Sequence, residues 1–239
     1  MTALVRTQIR HRTHRLIASR YPTVGIFDDL TDDPDELRVA FLLEAATNDR
    51  FSLLNSRLGI LPNEEIVTGD TANLVMAAFL HADPAGGRFT DDRLGAWYAA
   101  FDVDTAIAET LFHSERRLKH SEGAFPSSLQ IRELIADIDC ELCDIRGQQG
   151  ESPELYMPDP ADYGPAQSFA AGIRWPTNDD TPESGLVYDS LRREGGTNVC
   201  VFRPALIPLP VTQGDHYEYR WDAAGLASVV QITNVALGS

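Results

Sequence analysis

The sequence predicts an α+β fold. Three observations carry that reading. Strand-like segments stand at both ends of the chain, at 12–19 and again at 185–190, 199–202, 217–221 and 227–232. Segments with helical apolar spacing lie between them. No repeat, low-complexity tract or convincing linker divides the 239 residues, so a single domain spanning 1–239 is expected.

Arg12 to Ser19 reads as a short strand, ended by Tyr21-Pro22 because the residue before proline is pushed out of the helical region. Thr31-Asp32-Asp33-Pro34-Asp35-Glu36 announces a helix, with an acid at the N-cap, proline in the first turn and acids at the positive dipole end. Leu37, Phe41 and Ala45 give it an apolar stripe reaching to about Asn48. Leu53, Leu54, Leu58, Ile60 and Leu61 predict a short helix before a turn at Pro62, and Ala72 to Leu80 fits a strand or a helix. Asp83-Pro84-Ala85-Gly86-Gly87 is loop on its turn residues.

Gly95 to Phe101 reads as an apolar strand. Asp102 or Asp104 then caps a helix to about His120, with Val103, Ile107 and Leu111 as its buried stripe. Spacings of four, three and four put Glu109, His113, Arg116 and His120 in one row of that helix. Periodicity alone describes this row as a solvated face with an ordinary charge ladder; the functional alternative turns Glu109 toward a cleft. Residues 128 to 146 read as a long strand or a bent pair, 147 to 164 as Pro- and Gly-rich loop, and 166 to 175 as a helix. Gly185 to Ser190 leads to a turn at Gly195-Gly196, Val199 to Phe202 is a strand closed by Pro208-Leu209-Pro210, and 217–221 with 227–232 form a terminal hairpin.

The charge balance excludes several classes. Twenty Lys plus Arg stand against 36 Asp plus Glu, a formal net charge of -16. Such a surplus repels a phosphate backbone and an anionic lipid surface, so neither direct nucleic-acid binding nor membrane docking is expected. The cations are 19 Arg and the one Lys119. Genome base composition accounts for most of that bias, although Arg is also the cation suited to bidentate anion contacts. Three cysteines are too few for a disulfide scaffold, which together with the absence of a signal-like or membrane-spanning run points to the cytoplasm.

Familiar catalytic signatures are missing. Cys140 and Cys143 have C-x-x-C spacing but no second ligand pair, and on a strand they fall on opposite faces. His113 and His120 lack the i, i+4 histidine pair with its Glu, so no metal is expected. No phosphate-binding glycine fingerprint and no G-x-S-x-G elbow is present.

An ordered set of short segments does carry a resemblance. Gly87-Arg88-Phe89, Trp97-Tyr98-Ala99-Ala100, Thr105 to His113 around Glu109, Gly185 to Arg192 around Ser190, and Cys200-Val201-Phe202-Arg203-Pro204 together resemble the RES domain family. Tyr98 stands ten positions after Arg88 and Glu109 eleven after Tyr98, the family's spacing; Arg15 matches its early strand Arg. The resemblance covers about 12–222. Phe89-Thr90 replaces the usual Trp-Asn, and residues 22–85 lengthen the gap after the first Arg.

The resemblance implies an ADP-ribosyltransferase-like fold, two small crossed sheets with surrounding helices. It implies the toxin of a bacterial toxin–antitoxin pair that degrades NAD+ at the nicotinamide–ribose bond, by phosphorolysis or hydrolysis. It also implies a helix-turn-helix, Xre-type antitoxin that blocks the active site. A mono-ADP-ribosyltransferase acting on a protein, or a catalytically silent RES-like binding protein, is the alternative. Homo-oligomer formation is left open.

Reaction chemistry assigns the roles. Cleavage builds positive charge on the ribose, which a carboxylate stabilises, and Glu109 fits. Arg15 and Arg88 would bind the pyrophosphate. Tyr98 would stack on the pyridinium ring. Ser190 would donate to the nicotinamide amide or hold the nucleophile, and Arg116 would help if inorganic phosphate is the co-substrate. The structural alternatives are a core tyrosine at Tyr98, an ion-pair partner at Arg15 and a turn residue at Ser190.

Overall fold

A computed structural model describes residues 4–21, 31, 33–45, 49–121, 125–177 and 179–233. The elements run β1 (Arg6–Ala18), α1 (Pro34–Ala45), α2 (Asp49–Leu58), α3 (Ala72–Leu80), β2 (Trp97–Ala100), α4 (Val103–Lys119), β3 (Ser127–Asp144), α5 (Gly164–Arg174), β4 (Gly185–Asp189), β5 (Thr197–Val201), β6 (Thr212–Trp221) and β7 (Ala227–Ile232). The α+β class holds. The expected strand end at Pro22 and the helix end at Asn48 lie outside the described residues, whereas the expected cap acid is Asp33, whose Oδ1 accepts from Asp35 N at 2.8 Å.

The architecture turns on two long strands. β1 pairs antiparallel with β3 along its whole length, from Arg6↔Cys143 to Ala18↔Ile131. Eighteen residues of strand extend about 60 Å, long enough to serve two neighbours on the other edge. The first half of β3 pairs antiparallel with β6, and its end pairs parallel with β4 at Cys143↔Leu186 and Asp144↔Val187. β4 pairs with β5, β5 with β2, and β2 returns to β1 at His14↔Ala100. Five strands therefore close a hydrogen-bonded circuit, and β6 and β7 form a wing on it. The two strand groups implied by the resemblance are joined through β1 and β3 into one seven-stranded sheet.

Strand alternation divides the core. Val187, Val199 and Val201 point into a cluster with Phe79, Trp97, Leu134 and Leu142, while Leu186, Tyr188 and Cys200 point into a second with Phe89, Tyr156 and Ala166. β4 and β5 are buried on both faces, which explains their short, largely apolar runs. A third cluster, with Leu16, Ala106, Tyr217, Tyr219 and Trp221, packs beneath α4.

Several sequence expectations sharpen. β1 starts at Arg6, earlier than expected, because β3 is long enough to pair with the added residues. Residues 72–80, open between strand and helix, are a helix that is apolar nearly all round because it is buried nearly all round. The long 128–146 segment is one strand, and the register shift opposite Arg132 to Leu134 comes from one extra residue in β6. Asp102 is the α4 cap: its carboxylate accepts from Thr105 N and Thr105 Oγ1, both at 2.8 Å. Thr105, Ala106 and Ser114 are the fully buried residues of α4, while Val103, Ile107 and Leu111 are half-buried at the edge of the third cluster. The 147–164 loop contains two short 3-10 turns, Pro153–Tyr156 and Pro160–Asp162. No described helix is long and apolar enough to cross a membrane.

Many arginines are structural. Arg57 donates to Leu80 O and Asp92 O, Arg38 to Leu58 O and Leu61 O, and Arg174 to Leu94 O, Gly95 O and Phe202 O. A planar fork of donors can satisfy several loop carbonyls at once, which an ammonium on a flexible stem does less well. This use gives the Arg-for-Lys bias a physical role in the fold.

Candidate active site

A cleft of about 340 Å³ opens between β1, β2, α4 and the Gly86–Thr90 turn. The turn is built around close approaches. Gly86 has φ +72°, and a Cβ there would lie 2.2 Å from Thr90 O. At Gly87 a Cβ would lie 2.7 Å from the Tyr98 hydroxyl. That hydroxyl accepts from Phe89 N at 2.9 Å and lies 3.3 Å from Thr90 Oγ1. Tyr98 thus holds the turn while its side chain lines the cleft, and burial keeps its phenol well above the usual range, hence neutral. Gly87→Ala is expected to lower stability by about 1–3 kcal/mol through this overlap, read as a shift of the denaturant midpoint.

Three cations line the cleft without an acidic partner among the described residues: Arg15, Arg88 and Arg117, the last donating its Nε to His113 O at 3.3 Å. Arg88, 8 % exposed, donates to Met157 O at 2.7 Å, Leu155 O at 3.3 Å and Tyr163 Oη at 3.2 Å, and lies over the Tyr163 ring. Arg15 donates to Tyr98 O at 3.0 Å and lies 5.2 Å from the Trp97 ring centroid; its buried Nε has no partner. Burial brings the Arg15 guanidinium down to about 10, still charged at neutral pH. Carbonyl dipoles hold these cations in place without cancelling their charge, so the cleft retains a demand for an anion.

Glu109 comes from α4, about two turns inside its cap, and lines the same cleft. Its Oε1 accepts from Ser190 Oγ at 2.7 Å and from Asn198 Nδ2 at 2.8 Å. Its Oε2 accepts from none of the described residues. One oxygen is anchored and the other remains available.

The RES domain family model matches residues 65–222. The chain belongs to the RES domain family. It is 24 % identical over 221 residues to the uncharacterized protein y4oC of Sinorhizobium fredii (strain NBRC 101917 / NGR234), covering 92 % of this chain and 86 % of that one. It is also similar, at 12 % identity and a TM-score of 0.41 over 92 % of this chain and 88 % of the other, to a chain of the crystal structure of the M. tuberculosis MbcT–MbcA toxin–antitoxin complex. The family match begins after β1, yet β1 supplies Arg15, His14 and Leu16 to the cleft.

In this RES chain Arg15, Arg88, Tyr98 and Glu109 come together as the sequence suggested. Ser190 stands differently. It sits behind Glu109 outside the cleft lining, its oxygen accepts from Arg192 N and Arg193 N at 3.0 and 3.1 Å, and its proton goes to Glu109. The polar row of α4 divides between two depressions. Glu109 and His113 line the cleft, whereas Arg116 and His120 line a neighbouring groove of about 440 Å³ with Phe112, Pro158 and Arg192. Arg116 therefore stands outside the cleft that holds Glu109.

Asn198 escaped the sequence reading. It is 3 % exposed, and its only signal was a polar amide inside the apolar run of β5. His113 belongs to the polar row of α4, and its state is set by packing. Burial first, then Arg192, Arg117, Arg88 and Arg116, push its imidazole down to about 4. Its folded value lies below the unfolded one near 6.5, so the unfolded state binds the extra proton as pH falls, and stability is lost from about pH 6.5 toward pH 4. Denaturant midpoints across that window are expected to fall less for His113→Gln than for the parent.

The cysteines are buried thiols. Cys140 lies in the first core cluster and Cys143 in the second, and burial pushes Cys140 up to about 11 and Cys143 and Cys200 up to about 12. No metal-binding group of His, Cys, Asp or Glu occurs among the described residues.

Proposed function

We propose that this RES protein is the toxin of a bacterial toxin–antitoxin pair and that it cleaves the nicotinamide–ribose bond of NAD+. The observation that carries the reading is the Glu109 carboxylate, held through Oε1 by Ser190 and Asn198, in a cleft shared with the acid-free cations Arg15 and Arg88. The negative carboxylate meets the charge that develops on the ribose as neutral nicotinamide departs, and Oε2 is the oxygen left to bind the ribose hydroxyl. Arg15 and Arg88 take the pyrophosphate. Tyr98 packs its ring against the nicotinamide. Ser190 acts through Glu109, as a positioning residue.

The proposal includes the partner that family membership suggests, a helix-turn-helix antitoxin covering the cleft in the cytoplasm. The whole chain acts as one domain, since β1 outside the family match completes both sheet and cleft. The test is nicotinamide release from NAD+ by purified protein, with and without inorganic phosphate. ADP-ribose-1''-phosphate as product identifies phosphorolysis, free ADP-ribose identifies hydrolysis, and labelled protein identifies transfer. No release under either condition by folded protein overturns the reading.

A further inference from the structure

The cleft contains a second polar assembly that the roles above leave unused. His14 on β1 lines the cleft, and its Nδ1 lies 2.5 Å from Glu133 Oε1. Glu133 is 4 % exposed, and its Oε2 accepts from Asp215 N at 2.9 Å. Local backbone geometry makes room for this carboxylate. The β3–β6 register passes from Arg132↔His216 to Leu134↔Gln213, so Gly214 and Asp215 together face Glu133. A Cβ on Gly214 would lie 2.3 Å from Glu133 Oε2. A bulge, a glycine and a backbone amide thus serve one buried carboxylate, and that carboxylate holds one histidine.

The donor and acceptor pattern fixes the tautomer. Asp215 N–H donates to Oε2, and Oε1 accepts from the imidazole, so the ring proton sits on Nδ1. A ring that carries its proton on Nδ1 alone presents Nε2 as a bare acceptor, and among the described residues Nε2 has no hydrogen-bond partner. Charged groups around the ring are Glu133 and Asp137 on β3, Asp102 at the cap of α4, and Arg15 beside it on β1.

We propose that His14 is the general base that deprotonates the attacking water, with Glu133 as its positioning residue. The inference rests on NAD+ cleavage as proposed above and selects water as the nucleophile. The water oxygen bonds to the ribose anomeric carbon and its proton passes to Nε2. The nicotinamide leaves with the electron pair of the broken C–N bond, and the imidazolium later returns its proton to solvent. The products are ADP-ribose, nicotinamide and one proton. A lone pair on Nε2 suits water, which must lose a proton, and offers nothing to a phosphate dianion, which need not.

The experiment measures nicotinamide release in phosphate-free buffer by the full chain and by His14→Asn, with and without sodium azide. Asn places an amide donor where Nδ1–H stood, keeping the bond to Glu133, and removes Nε2. His14→Asn is expected to lose about 10²-fold or more in kcat, with KM little changed. Azide, an anion that needs no base, is expected to restore release and yield ADP-ribosyl azide. Should His14→Asn unfold in a thermal melt, His14→Gln is measured in the same two conditions. Undiminished hydrolysis by the folded variant, or a loss that azide does not restore, overturns the proposal. Strictly phosphate-dependent release by the parent protein overturns it while leaving NAD+ cleavage intact. No release with or without phosphate removes the reading beneath it instead.

Discussion

Glu109→Gln is expected to lower kcat for nicotinamide release by about 10³-fold, equivalent to about 4 kcal/mol of transition-state stabilisation. The substitution is nearly isosteric. The Gln carbonyl still accepts from Ser190 and Asn198, so the fold and cleft keep their shape while the negative charge disappears. The proposed mechanism assigns substrate binding to Arg15, Arg88 and Tyr98, so KM is expected to change little, the pattern of an interaction made chiefly in the transition state. Steady-state kinetics with NAD+ read both constants, and a thermal melt confirms that the variant folds. A Glu109→Gln protein as active as its parent would remove Glu109 from the chemistry.

The largest stability effect is expected at Arg174. This residue is 6 % exposed and donates to Leu94 O at 3.0 Å, Gly95 O at 2.9 Å and Phe202 O at 3.0 Å. Its guanidinium also lies 5.0 Å from the centroid of the Phe202 ring. Arg174→Ala leaves three buried carbonyls without a donor, at about 1–3 kcal/mol each before relaxation. A net loss of about 3–5 kcal/mol is expected from denaturant unfolding, a large share of the 5–15 kcal/mol typical of a folded protein. Those carbonyls belong to the segments that enter β2 and leave β5, so the cleft is expected to loosen as well. Arg174→Lys should recover part of the loss, since an ammonium reaches fewer of the three acceptors. A loss below about 1 kcal/mol would mean that water replaces the guanidinium.

The set of residues lining the cleft was legible where it is local. Arg88, Tyr98 and Glu109 lie within one stretch of turn, strand and capped helix, and Asp102 announces the helix that carries Glu109. The helical row from Glu109 to His120 was also correctly in line. Its division between two depressions was not legible, because it depends on the Pro158–Pro160 segment and Arg192, which pack there from elsewhere in the chain. Asn198 was hidden for a related reason. Its partner Glu109 is 89 residues away, and only the register that sets Asn198 beside both Ala100 and Tyr188 brings the amide to the carboxylate. The same holds for Glu133 and His14, separated by 119 positions and joined by β1–β3 pairing.

Net charge shows the boundary most simply. The -16 total excludes a broad anionic partner, and it follows from composition alone. Composition does not say which of 19 Arg staple carbonyls and which leave their charge facing a cleft. Spacing along a chain becomes direction through helix and strand periodicity, so the class of fold, the capped helix and the Arg–Tyr–Glu set are written in the residues. Register between distant strands arises only when burial on both faces selects one pairing from many. That selection closes the strand circuit, seats Ser190 behind Glu109 and places a histidine on a buried carboxylate.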